Sequence, residues 1–419
     1  MDANSILNQA EQAKKASRAL SLLSADAKNN ILSAMAAALA KNRKDILFYN
    51  EIDVEAAKQT KISAALLDRL TLNEKRIDDM INGIEKLISL EDPIGTEVET
   101  LKPTADICVK KIRVPLGVIA MIYEARPNVS VDAASICLKS GNAVILKGGS
   151  EAIESNRNLI KIIYEAGLKA GLPEGAIQFM NTTDREAVGQ MIKLDKFIDL
   201  IIPRGSEELV NFVRRNSLIP VLSHGKGICH LYIDKDADID IALKIAINAK
   251  CQRAGVCNAI ETLLVHKDIA KTFLPLICKA YAEKGVIIKG DEMTRALSPE
   301  IKIEAADEKD WETEYHDLII SIKTVDSLEE AIAHINKYGS QHTDSIVTKD
   351  EKAADKFLAE VDSSAVMLNA STRLHDGSVF GLGCEIGIST QKLHARGVMG
   401  INELTTTKYI VKGNGTIRQ

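Results

Sequence analysis

No C-x-x-C pair occurs in this chain. Its seven cysteines are odd in number and scattered, at Cys108, Cys137, Cys229, Cys251, Cys257, Cys278 and Cys384. That spacing suits neither a zinc cluster nor a disulfide framework, and no histidine lies between Cys251 and Cys257. It fits a reducing compartment. A basic excess is also missing: 53 Lys and Arg face 58 Asp and Glu, for a formal net charge of -5. A general nucleic-acid binder needs the opposite balance, although a local basic pocket for a phosphorylated ligand is still possible. Apolar runs are short, about seven residues against the roughly 20 of a membrane span. The charged, alanine-rich start has no apolar signal region. A cytoplasmic protein with no membrane or nucleic-acid partner is expected. Aromatic residues make up only 4%, yet 46% hydrophobic and 26% charged residues describe an ordinary globular protein with ample core-forming side chains.

A length of 419 residues implies two or three domains. Proline is absent before Pro93, and residues 5 to 90 read as helices, with Ile31, Met35, Ala38 and Leu39 at helical spacing. Ser24 and Asp26 are candidate N-caps. Residues 97–101 and 107–114 alternate as two strands around Lys102-Pro103-Thr104. From Gly117 the pattern is strand, turn, helix, repeated, with strands at 117–123, 143–146, 176–180 and 198–202. A second such set runs from 228 to about 370. Alternation of this kind builds parallel sheets with helices on both faces. The β-branched 405–411 segment is expected to pair with the 97–116 hairpin, within one chain or across a subunit boundary.

Ligands of open parallel sheets bind beyond the carboxyl ends of the strands, yet no G-x-G-x-x-G fingerprint follows any strand here. The chemistry has to be sought in other residues. Arg253-Ala254-Gly255-Val256-Cys257-Asn258 places a cysteine on a short turn between a helix-patterned and a strand-patterned segment. A thiol there can project into a cleft and use nearby N–H groups to hold an oxyanion; the alternative is a small buried hydrophobe. Lys147 precedes two glycines and can reach a phosphate or a ribose hydroxyl, unless it is a solvated turn lysine. Gly205-Ser206 opens a helix, so its N–H groups can face a phosphate, or Ser206 is a plain N-cap. Asn128 starts a helix and either caps it or turns a side-chain N–H toward an oxyanion.

These residues fall in an order that resembles the aldehyde dehydrogenase superfamily: Gly117-Val118-Ile119 through Arg126-Pro127-Asn128, then Lys147, Gly205 and Cys257. Within it, Ala331-Ile332-Ala333-His334-Ile335 and Tyr338-Gly339-Ser340-Gln341-His342-Thr343-Asp344-Ser345-Ile346 look like the signature of the γ-glutamyl phosphate reductases. The resemblance implies an α/β, aldehyde dehydrogenase-like fold. A cofactor-binding domain would comprise 1–99, 117–227 and 382–403, a catalytic domain 228–381, and a small β oligomerisation arm 100–116 with 404–419. It implies reduction of L-glutamyl 5-phosphate by NADPH in proline biosynthesis, by a homo-oligomer functionally coupled to glutamate 5-kinase. Cys257 matches the nucleophile, Asn128 the oxyanion asparagine, and Lys147, Ser150, Gly205, Ser206 and Glu314 cofactor contacts. Arg126, His224 and Arg253 are candidates for the phosphate and Glu385 for the amino-acid end. No metal is implied.

Two departures from the superfamily pattern carry information. Val221-Leu222-Ser223-His224-Gly225-Lys226-Gly227 lacks the carboxylate that activates water in hydrolytic members, although His224 could act as a base. Ser150 stands where NAD-preferring members carry an acid, which favours NADP. The rival readings are a hydrolytic aldehyde dehydrogenase and a non-catalytic protein that kept the fold; retention of the thiol and the asparagine argues against the second.

Overall fold

The chain opens with the helices Ala3–Leu20, Ala25–Lys41, Arg43–Gln59, Ala64–Leu70 and Glu74–Ser89 of the computed structural model, which describes residues 3–60, 62–103, 105–223 and 225–418. Alanine, leucine, lysine and glutamate favour this conformation, and an apolar stripe of Ile31, Leu32, Met35 and Leu39 is buried. Ser24 caps the second helix, its Oγ accepting from Ala27 N at 3.2 Å. Asp26 lies inside the first turn, where its charge suits the helix dipole.

Among the described residues the strands form four sheets. The chain divides into two compact units: one of Met1–Ser223, Gly381–Gly387 and Met399–Gln419, the other of His224–Phe380 and Ile388–Val398. The sequence reading kept 382–403 in one piece, whereas compactness places Ile388–Val398 with the second unit.

The first unit holds an all-parallel sheet in the order Ile177–Phe179, Ala143–Gly148, Val118–Tyr123, Leu200–Arg204. Every residue of Val118–Tyr123 and Ala143–Gly148 is buried, which is why these segments read as continuous apolar runs. Two strands extend further than their apolar runs. Lys147 pairs with Ile122, and Pro203 and Arg204 pair with Ile122 and Tyr123, because the ladder continues past the last aliphatic residue. Pro203 is tolerated because its strand is at the sheet edge. The unit also carries an antiparallel sheet of Glu97–Leu101, Ile107–Pro115 and Thr405–Gly413. The terminal strand therefore finds its hairpin within the same chain, from Thr405 opposite Pro115 to Gly413 opposite Ile107.

The second unit contains a seven-stranded parallel sheet in the order Ile303–Ala305, Ile287–Gly290, Ile319–Val325, Ile260–His266, Cys229–Ile233, Thr343–Val347, Ala365–Leu368. One face buries Phe273, Leu274, Ile277 and Tyr281 of helix Lys267–Glu283 against Leu231, Leu263, Ile320 and Ile322. The other buries Ile332, Ile335 and Phe357 against Tyr232, Leu264 and Ile346. No helix among the described residues is long and apolar enough to cross a membrane.

Gly117 starts the central strand of the first unit with φ +129°, and a Cβ there would stand 2.2 Å from Asp199 Oδ2. That carboxylate cannot give way, since Val118 N and Lys14 Nζ each donate to it at 2.8 Å. Gly117→Ala is expected to lower the unfolding free energy by about 1–3 kcal/mol, seen as an earlier urea midpoint by circular dichroism; an unchanged midpoint would refute the strain.

Candidate active site

Cys257 lies on the turn between helix Ile239–Cys251 and strand Ile260–His266, partly accessible. Cys137, Cys229 and Cys278 are buried, whereas Cys251 and Cys384 are partly accessible like Cys257. Cys137, Cys229, Cys251, Cys278 and Cys384 are all pushed up by loss of hydration, Cys278 and Cys384 to about 11. These thiols stay neutral near pH 7. Cys108 is exposed on a strand of the small antiparallel sheet.

The turn is packed closely. A Cβ at Gly227 would stand 2.5 Å from the Cys257 carbonyl oxygen, 2.7 Å from its Cα and 2.7 Å from Glu314 Oε1. Only glycine lets the segment entering strand Cys229–Ile233 pass here, and Glu314 and Cys257 meet on either side of it. Cys257 and Glu314, both candidates from the sequence, thus lie close to one another within the second unit. Glu314 Oε2 lies 3.4 Å from His316 Nε2, and His316 adopts φ +56°. Arg253 is exposed on the same turn. His224 lies outside the described residues.

Two buried groups behind the turn hold its shape. Lys250 Nζ and Glu261 Oε2 are 2.6 Å apart at 0% and 1% side-chain exposure, joining the end of the helix to the strand that follows the turn. The other Glu261 oxygen accepts from His316 N at 3.4 Å, which ties in the Glu314 loop. Burial raises Glu261 to about 7, against the pull of the Lys250 ammonium. Cys229 Sγ donates to the Cys257 carbonyl at 3.2 Å. A chain continues behind it: Cys229 Sγ to His342 Nδ1 at 3.6 Å, His342 Nδ1 to Thr343 Oγ1 at 2.7 Å, and Thr343 Oγ1 to His375 Nδ1 at 2.8 Å. His342, Thr343 and Asp344 of the signature stretch are thus buried supports. Asp344 Oδ1 accepts from His230 N at 2.7 Å and lies 3.1 Å from His230 Nδ1.

In the first unit a cavity of about 330 Å³ opens at the carboxyl ends of the parallel strands, with Lys147, Gly149, Ser150, Glu151, Arg185 and Ser206 in its wall. Lys147 is 6% exposed, and among the described residues its ammonium makes one hydrogen bond, to Gly148 O at 2.8 Å. Burial pulls its pKa down, opposed by Glu151 and Asp184. Ser206 caps helix Glu207–Asn216, accepting from Leu209 N at 3.4 Å. Its own N–H is not open to an incoming phosphate: it donates to Glu124 Oε2 at 2.6 Å. Gly205 is needed for that approach, since a Cβ there would stand 2.5 Å from the same oxygen. The pocket also holds an acid next to Ser150, because Glu151 accepts from Ala125 N. Arg185, Glu124 and Glu151 were not singled out from sequence; their adjacency arises from the ends of different strands.

Asn128 begins helix Asn128–Lys139 and does not cap it. One hydrogen of its Nδ2 goes to Asp132 Oδ2 at 2.9 Å. Asp132 is partly accessible, and loss of hydration raises its carboxyl to about 6, opposed by Asn128 and Arg204. Arg204 itself packs on the Gly387 backbone, where a Cβ would lie 2.5 Å from Nη1. Arg126 and Glu385 are partly accessible in the same unit, and neither lines the cavity. No group of three or more His, Cys, Asp or Glu among the described residues is placed to hold a metal.

Lys250→Met leaves Glu261 buried without its cation, at an expected cost of about 3–5 kcal/mol at pH 8. The sign with pH follows from the raised carboxyl. The folded state binds this proton more tightly than the unfolded chain, so the penalty is absent below the ordinary carboxylate range and grows as pH rises toward the variant's own carboxyl pKa, which loss of the Lys250 cation raises further. The deficit should therefore shrink toward pH 5, as read from denaturant midpoints at both pH values. A deficit independent of pH would show that Glu261 is not its source.

Comparison with known proteins agrees with this geometry. The model of the Aldehyde dehydrogenase family matches residues 1–311. The gamma-glutamyl phosphate reductase of Thermodesulfovibrio yellowstonii is 53% identical over 414 residues, 99% of both chains, and that of Clostridium tetani 50% identical over 421 residues, 99% of this chain and 98% of that one. The crystal structure of gamma-glutamyl phosphate reductase from Thermotoga maritima superposes with a TM-score of 0.95 at 45% identity, covering 99% of this chain and 100% of that one. An acetylating aldehyde dehydrogenase from Geobacillus thermoglucosidasius, at 18% identity and a TM-score of 0.72, shares the fold. With a thiol on a glycine-flanked turn and kinship along its whole length, the chain belongs to the γ-glutamyl phosphate reductases of the aldehyde dehydrogenase family.

Proposed function

We propose that this chain reduces L-glutamyl 5-phosphate to L-glutamate 5-semialdehyde and phosphate with NADPH, through a thioester on Cys257, in proline biosynthesis. The observation that carries the reading is the partly accessible Cys257 beside Glu314, on a turn supported by buried groups, in a chain related over its full length to reductases of that name.

The Cys257 thiolate attacks the γ-carbonyl carbon. A C–S bond forms, the C–O bond to the phosphoryl group breaks, and phosphate departs with the electron pair. Phosphate is a good leaving group, so this step needs little acid assistance. The backbone N–H of Cys257 is a candidate donor to the developing oxyanion, and Asn128, one Nδ2 hydrogen of which goes to Asp132, is the second donor that the family resemblance implies. Losing one such donor typically costs on the order of 10²–10³ in rate. Arg126, Arg253 and His224 are the phosphate candidates, and Glu385 is the candidate for the amino-acid end.

The residues around the cavity fit a phosphorylated dinucleotide. The buried Lys147 ammonium has donors to spare, Ser150 offers a hydroxyl, and Arg185 supplies a second cation. Arg185 with Lys147 suits a 2′-phosphate, which favours NADP over NAD. Glu314 is the candidate for the ribose next to the nicotinamide. When bound, the cofactor supplies the hydride that reduces the thioester. No carboxylate in 221–227 stands ready to activate water, so the acyl group is kept for that step. Glu314 beside Cys257 gives a hydrolytic reading some support; such an enzyme would oxidise aldehyde without phosphate. We also read the small antiparallel sheet as the surface that joins copies of the chain, because Val98, Tyr409 and Val411 are 46%, 58% and 57% exposed on it.

Cys257→Ala should retain NADPH binding, measured by fluorescence titration, and lose phosphate-dependent NADP reduction by at least about 10³-fold; full activity would end the nucleophile assignment. Arg185→Ala should raise the KM for NADPH about tenfold while leaving that for NADH unchanged. Equal shifts for both would place Arg185 away from the 2′-phosphate.

A further inference from the structure

The loop after strand Ala365–Leu368 brings a cation to the nucleophile turn from far along the chain. Arg373 lies in the short 3-10 helix Thr372–Leu374, where Ser371 Oγ accepts from Arg373 N at 3.3 Å. Its guanidinium is held by residues on both sides of Cys257. Nε donates to Gln252 Oε1 at 2.9 Å, and Nη1 donates to Asn258 Oδ1. Asn258 is itself fixed: it is 5% exposed, and its Nδ2 donates to His375 O at 3.0 Å.

Both acceptors are neutral amide oxygens, so they orient the guanidinium without neutralising it. Among the described residues Arg373 forms no ion pair, and Nη2 makes no hydrogen bond. The charges close enough to act on it are Cys257 in its thiolate form and Asp376, which favour the cation, and Arg253, which opposes it. Partial burial is the largest influence and disfavours the charge. A structural staple between two amides needs no charge, and a desolvated cation without a counter-ion is costly. An arriving anion would relieve that cost, and the planar fork suits carboxylate and phosphate alike.

We infer that Arg373 binds an anionic group of the substrate beside Cys257. This rests on the acyl phosphate reading above, and it adds a binding residue to the phosphate candidates taken from sequence. The substrate offers two such groups, the phosphoryl group on the carbon under attack and the α-carboxylate at the other end. In the aldehyde-oxidising direction, phosphate attacks the Cys257 thioester. An O–C bond forms, the C–S bond breaks, the sulfur keeps the electron pair, and the phosphate proton passes to solvent.

The test uses full-length Arg373→Gln, which keeps N–H donors toward Gln252 and Asn258, and Arg373→Lys, which restores the charge. NADP reduction is followed while glutamate semialdehyde and inorganic phosphate are varied separately, and again with butanal, which has no carboxylate. Arg373→Gln should raise one KM on the order of 10- to 100-fold, with a smaller fall in kcat and partial recovery in Arg373→Lys. If the phosphoryl group is the ligand, the phosphate KM moves and the single-turnover burst of NADPH without phosphate is retained. If the carboxylate is the ligand, the semialdehyde KM moves and the preference over butanal collapses. Unchanged KM values in both variants would overturn the inference. So would a fall in kcat matched by slower iodoacetamide alkylation of Cys257 at unchanged KM, since Arg373 would then act on the thiol alone. A wild-type enzyme that needs no phosphate would sink the acyl phosphate reading instead.

Discussion

A buried ion pair closes the base of the nucleophile turn. Lys250 and Glu261 are hidden from water, and each belongs to an element that continues into the core. The turn between them can be exposed and irregular because its ends are fixed. The second oxygen of Glu261 extends the restraint to the loop bearing Glu314. Without the pair, the turn, its thiol and the facing carboxylate would have no common anchor. A buried ion pair adds little net stability compared with apolar packing. Here it gives the turn a defined geometry, which a reactive side chain needs more than it needs stability.

The same use of buried polar groups recurs behind Cys257. Cys229 spends its hydrogen on the carbonyl of the nucleophile. His342, Thr343 and His375 then form a line of ring nitrogens and a hydroxyl into the core. Burial keeps His375 neutral, lowered to about 3. The thiol proposed to react is the partly accessible one on the turn, and the buried thiol beneath it supports the turn. Two cysteines close in space thus have opposite duties, decided by access to water.

Much of this was legible in the sequence. Alternating aliphatic strands and amphipathic helices announced both parallel sheets, and the turn at 253–258 was marked by a glycine between two different periodicities. Ser206 as an N-cap followed from the helix pattern after it. What could not be read were contacts between distant segments. Arg373 reaches Gln252 and Asn258 only after the sheet is assembled, and nothing in Thr372-Arg373-Leu374 signals this. Lys147 and Pro203 looked like strand ends because lysine and proline interrupt an apolar run, but backbone pairing does not heed side-chain polarity. Asn128 looked like a cap by position, and its side chain instead turns to Asp132. The signature stretch resembled a family through residues that mostly build the core.

Glu124 gives the first unit a resident anion. Its carboxylate takes the Ser206 N–H at the mouth of helix Glu207–Asn216, where the positive end of the helix dipole would otherwise draw a phosphate. An anion entering there from solution swaps with one already tethered, so the helix contributes only the difference between the two. For the dinucleotide proposed for this pocket, a tethered competitor of this kind would weaken retention. An enzyme that must discharge a spent dinucleotide in every cycle gains from such a built-in displacer.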